Sequence, residues 1–182
     1  MRFFLVYLIP LAAFCLVLSA GAVNQGHGSV SLAGSIIDTP CAIGAGSLYQ
    51  SIDLSTIPVS TIVNDGVGPT KPFTINLSNC SLPMQRSISN INSSNDWTKF
   101  SITFDGNVTD MSLFRVDGEA GGVGIQISDE EGNVAMPGKV MPQYALEPDS
   151  MNLNFNLRLV ANQKTVRPGN FQSTIRFKMD YY

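Results

Sequence analysis

Hydrophobic and polar residues alternate with period two along most of this chain, the spacing of strands with one buried face. Val30, Leu32, Gly34 and Ile36 alternate with Ser29, Ser31, Ala33 and Ser35. Phe73, Ile75 and Leu77 alternate with Thr74, Asn76 and Ser78, and Phe100, Ile102 and Phe104 run into the turn Asp105-Gly106. Val123, Ile125 and Ile127 lead into a turn-rich stretch, Asp129-Glu130-Glu131-Gly132-Asn133. Leu153, Phe155, Leu157 and Leu159 form a further face, and Phe171, Ser173, Ile175, Phe177, Met179 and Tyr181 form the last. Such in–out alternation predicts antiparallel sheets packed on one side. No eleven-residue window carries a helical stripe, and 16 glycines and 10 prolines punctuate the runs. The pattern predicts an all-β, two-sheet sandwich of immunoglobulin type. Residues 44–68 are the least regular, with Ile52 and Leu54 able to form a short strand, and the Ser/Asn-rich residues 87–96 read as a loop.

The N-terminus is a targeting segment. Arg2 precedes an apolar run over residues 3–18, broken only by Pro10, and Ala20-Gly21-Ala22 has the small-x-small pattern of a signal-peptidase site. Cleavage is placed after Ala22, so residues 1–22 are a signal peptide; an uncleaved anchor is the alternative. Of three cysteines, Cys15 leaves with the signal, and Cys41 and Cys80 remain as an even pair in an exported chain. An oxidising compartment would join them. The bridge closes a loop of about forty residues, worth roughly 3–4 kcal/mol in the chain-entropy model.

Composition narrows the function. Charged residues are 14% of the 182, against about 25% in an average soluble domain. The net charge of −3 speaks against a nucleic-acid partner, which calls for a basic face. The single histidine, His27, lies in a Gly-rich leader that cannot hold a catalytic geometry. No Gly-x-Ser-x-Gly elbow, phosphate loop or CxxC is present. No enzyme, cofactor, metal or small-molecule substrate is therefore expected. Asp129, Glu130 and Glu131 read as a solvated turn rather than a calcium site, and Trp97 as a packing residue. Asn76, Asn92 and Asn107 begin glycosylation-type triplets that arise by chance in so Asn- and Ser-rich a chain.

Both ends of the mature chain are amphipathic strands, and their residues carry a resemblance. The opening Gly28-Ser29-Val30-Ser31-Leu32-Ala33-Gly34-Ser35-Ile36-Ile37-Asp38-Thr39-Pro40-Cys41 is similar to the donor segment and first strand of pilins of the bacterial chaperone–usher pathway. Asn79-Cys80 resembles the family's Asn-Cys strand ending, and Gly169, the alternating apolar residues after it and the penultimate Tyr181 resemble its closing motif.

The resemblance implies an incomplete immunoglobulin-like sandwich lacking its last strand, with an N-terminal donor-strand extension. It implies a donor extension at residues 23–38 and a pilin domain at residues 39–182. Donor-strand complementation is an established mode of β-strand addition. The resemblance implies that a periplasmic chaperone would fill the groove first, that an outer-membrane usher would assemble the fibre, and that other pilus subunits would then lend their extensions. Inward donor positions are expected at Gly28, Val30, Leu32, Gly34 and Ile36. The strand expected to border the groove and meet the chaperone carries Gly169, Phe171, Ile175, Phe177, Met179, Tyr181 and Tyr182, whose carboxylate the chaperone would grip. The expected destination is a fimbrium at the bacterial surface, reached through the periplasm. The chain is too short for the second lectin domain of a tip adhesin. Residues 132–142 and 177–182 look like the minor, terminating subunit of P-type pili; a major rod subunit and a self-contained secreted lectin-like module are the alternatives.

Overall fold

A computed structural model of the chain describes residues 28–34, 39–81 and 97–182. The signal segment, His27, Ile36, Asn92 and the expected loop at 87–96 lie outside the described residues. The chain divides into two units, Met1–Ile37 and Asp38–Tyr182. In the first, residues 28–34 join no ladder and are exposed.

The second unit is built of short and long strands. β1 (Ala42–Ile43), β2 (Lys71–Cys80), β9 (Asp149–Ala161), β6 (Val123–Asp129) and β4 (Phe114–Arg115) lie side by side in that order, with β7 (Val134–Ala135) also paired to β6. A second sheet places β3 (Lys99–Asp105) between β11 (Arg176–Tyr181) and β8 (Tyr144–Ala145). β5 (Asp117–Gly118) pairs with β10 (Phe171–Gln172). Every pairing between named strands is antiparallel. The five long alternating runs of the mature domain thus become β2, β3, β6, β9 and β10–β11.

The inward faces meet in one core. Phe73 and Phe155 are cross-strand partners, stacked at 5.5 Å, and Phe104 of the second sheet meets Phe155 edge-on at 5.1 Å. Such pairs hold sheets together beyond their buried area. The Cys41–Cys80 disulfide joins the residue before β1 to the end of β2, and both cysteines are buried. Trp97 packs against this core, as expected of a lone tryptophan.

Three expectations are corrected. β3 is not two-faced, since Ser101 and Thr103 are as buried as the apolar residues between them. A central strand loses its solvent face when both faces are covered. The irregular stretch 44–68 holds two short helices, α1 (Ala45–Leu48) and α2 (Val59–Asp65), while Ile52 and Leu54 lie outside any strand. β-Branched Val59, Thr61, Ile62 and Val63 are poor helix formers. Pro58 before the helix, left-handed Gly66 after it and burial of Ile62 impose the turn. Asp129 is buried rather than solvated, although Glu130 and Glu131 are exposed.

Candidate functional site

β11 ends its sheet: β3 lies on one side, and among the described residues no strand lies on the other. Its inward residues Phe177, Met179 and Tyr181 face Phe104, Ile102 and Phe100 in register, yet remain only half-buried. A half-buried apolar row on an unpaired edge is a template for strand addition.

Beside the segment leading into β11 opens a cavity of about 650 Å³. Val123, Ile125, Leu157 and Leu159 from β6 and β9 form its floor. Val166, Gly169, Phe171 and Ile175 form one wall, and Ile52, Leu54, Ile57 and Ile62 the other. Polar residues such as Gln50, Thr56, Asn170 and Gln172 rim it. An apolar floor with a polar rim suits an amphipathic strand better than a charged small molecule.

The backbone agrees. Among the described residues, 51–57 make no backbone–backbone hydrogen bond, so this wall, like β11, offers backbone donors and acceptors to a neighbour, Ser55 N excepted, which donates to Asp53 Oδ1. Two such edges across an apolar floor can satisfy both sides of an inserted strand. Extended residues two apart point the same way, so alternate side chains of such a strand would reach the floor.

Gly169 shapes the first wall. Its φ is +151°, and a Cβ there would meet Glu119 Cβ at 2.5 Å and Ala120 N at 2.7 Å. Glu119 N and Ala120 N both donate to Asn170 O, at 2.9 and 3.1 Å, locking the turn before β10. Between β10 and β11, Ser173 Oγ donates to Arg115 O at 2.8 Å, where the chain leaves β5 for β3.

Of the residues singled out in the sequence, Gly169, Phe171 and Ile175 line the cavity, while Phe177, Met179 and Tyr181 continue the row beyond it. Burial pushes the Tyr181 phenol up from its ordinary value. Tyr182 is exposed, and its backbone pairs with Lys99 in both directions. Val30 and Leu32 are 87% and 94% exposed, and among the described residues beyond their chain neighbours no atom lies within 4 Å of a Cβ built on Gly28 or Gly34. Sequence reasoning missed the second wall. Its one signal was the Ile52/Leu54 spacing, which reflected direction toward the groove rather than a ladder.

Comparison with known proteins defines the class. The chain matches the Fimbrial protein family over residues 30–182 and belongs to it. The PRS fimbrial minor pilin protein of Escherichia coli is 32% identical over 155 residues, 85% of this chain and 77% of that relative. The fimbria A protein of Serratia marcescens is 29% identical over 180 residues, 97% of each chain. A solved chaperone–usher pilus subunit superposes with a TM-score of 0.69 at 24% identity, covering 90% of this chain and all of its own. The chain is a fimbrial structural subunit of a surface fimbria, not an enzyme, and its fold is that of the immunoglobulin-like pilins.

Proposed function

We propose that this chain is a minor subunit of a chaperone–usher fimbria, which receives a strand in its groove and lends its own N-terminal segment to a neighbour. The observation that carries this reading is the unpaired edge of β11 beside the open cavity. Residues 1–22 are the export signal, 23–38 the lent extension, and 39–182 the body. In the periplasm a chaperone strand fills the groove; at the usher, the extension of another subunit replaces it. Val30 and Leu32 find on that neighbour the cover they lack here, and burying each contributes about 1.5–3 kcal/mol as an upper estimate. Gly34 takes the place where the acceptor leaves no room.

The relative named a minor pilin supports the minor role. Termination of the fibre, the other property implied by the resemblance, would require a groove mouth closed to an incoming strand. The cavity beside residues 166–175 favours acceptance instead, because it leaves a foothold where strand exchange can begin.

The test challenges the chaperone-held subunit with donor peptides from every subunit encoded beside it. Rapid chaperone release by at least one peptide is expected. Release by none would return the chain to a terminating role. A peptide of residues 28–38 should insert into a compatible subunit, and its Gly34→Leu variant should not, because a close-packed slot has no space for the side chain. Quantitative mass spectrometry of sheared fibres should find this chain far below the rod protein; equal abundance would make it the rod.

A further inference from the structure

We propose that Arg167 selects donor strands by charge, pairing with a carboxylate placed two residues beyond the donor's last inward apolar side chain. This rests on the groove reading above and names the chemistry of the strand it takes. Among the described residues lining the cavity, only Asp53 and Arg167 are charged. Asp53 already serves its own turn, its Oδ1 accepting from the Ser55 N–H at 2.7 Å. Arg167 stands on the opposite wall, exposed, and makes no ion pair with any described residue.

The backbone of Arg167 is fixed. Arg167 N donates to Gly121 O at 2.9 Å, and Gly121 N to Arg167 O at 3.1 Å. The side chain lies over that glycine, where a Cβ would meet its Nε and Nη2 at 2.9 Å. A cation thus stands at one end of the groove, beside Gly169 and away from Tyr182.

The pairing sense of the fold says which end of a donor reaches it. All ladders between named strands are antiparallel, so a strand that completes β10–β11 in the same sense runs opposite to them. Its C-terminal end then arrives at Arg167. In this chain's own extension the positions of one parity are Gly28, Val30, Leu32, Gly34 and Ile36, and the next is Asp38. A donor of this pattern brings a carboxylate to the groove mouth one strand step, about 6.8 Å, past its last apolar anchor. A charge pair at an exposed mouth acts on encounter and register more than on depth of binding.

The experiment measures chaperone release from the chaperone-held subunit by a peptide of residues 28–39 and by its Asp38→Lys variant, across a salt series. The variant is expected to insert about three- to tenfold more slowly at low salt, the difference fading as salt rises. Arg167→Glu in the subunit should invert the preference, and Arg167→Gln should abolish it. The peptide arm needs no change to the subunit, so it stands even where a variant subunit folds poorly. Equal rates for both peptides at low salt would overturn the charge selection while leaving the groove reading intact. Insertion by neither, while a donor peptide from another subunit does insert, would overturn the charge selection, since this extension carries the carboxylate that Arg167 is argued to take; insertion by no donor peptide at all would overturn the acceptor reading and this inference with it.

Discussion

Asp129 ends β6 as a buried carboxylate serving two elements. Its Oδ1 accepts from the Asn133 N–H at 2.7 Å; its Oδ2 accepts from Asn133 Nδ2 at 2.8 Å and from the Tyr144 hydroxyl at 2.9 Å. Burial pushes its pKa up, but the hydrogen bonds from Asn133 and Tyr144 outweigh it and hold the carboxyl below its ordinary value. Burial, and then the bond to Asp129, drive the Tyr144 phenol upward. Tyr144 sits in β8 of the second sheet, so the pair clasps one sheet to the other. The folded state favours the ionised carboxylate, so the contribution is full above the unfolded value, about 3.9, and is lost as pH falls through the lower folded value. Tyr144→Phe keeps the ring that stacks on Phe100 at 5.4 Å and removes only the hydroxyl. It should cost about 1–2 kcal/mol at pH 7, with the gap from the parent narrowing near pH 3. Urea melts of the donor-filled subunit at both pH values measure this, and equal losses at each would exclude the clasp. The turn was legible in Asp129-Glu130-Glu131-Gly132-Asn133, but not the burial. The partner that buries the first carboxylate is 15 residues away, on a two-residue strand with no pattern of its own.

At the scale of elements, the last strand is the part on which the groove depends. Its start is set by Gly169, whose backbone passes too close to Glu119 and Ala120 for any side chain. Gly169→Ala should therefore cost about 1–3 kcal/mol through strain at a positive φ and the forced shift of the turn. It should also weaken donor binding, because β10 would move off β5 and carry Phe171 away from the floor. Denaturation of the donor-filled subunit and a peptide titration read both effects; an unchanged midpoint would mean that the turn relaxes freely. The long strands were legible because period two and apolar branching coincide there, as in β9, where Leu153, Phe155, Leu157 and Leu159 are all buried. The two-residue strands and α2 were not, since tertiary contacts rather than local preference hold them. For the same reason only one wall of the groove could be read ahead. Phe171 and Ile175 belong to a long periodic run, whereas Ile57 and Ile62 lie on either side of Pro58 in β-branched sequence whose role appears only once β6 and β9 supply the floor.

At the scale of the whole molecule, the function proposed above makes the sandwich an acceptor short of one strand, whose stability would depend on what fills the gap. β11 has an open edge and the half-buried row of Phe177, Met179 and Tyr181, and the cavity beside the segment leading into it is walled on its other side by residues 51–57. Left open, that edge should pair with other copies, because an exposed apolar edge is an aggregation template. The chain from residue 23 onward, purified without chaperone, is therefore expected to self-associate and to melt at low temperature. Anything that binds the folded state alone stabilises it by mass action, by about 2.7 kcal/mol at a free concentration one hundred times its Kd. For a domain of this size that corresponds to a rise in melting temperature of roughly 5–10 °C. A matching donor peptide should produce this rise and return the chain to a monomer in light scattering, while a scrambled peptide of equal composition should do neither. A chain that is monomeric without any donor, and whose melting temperature a matching peptide leaves unmoved, would mean that the groove is already filled from within. The reading of an unfinished sandwich would then fail.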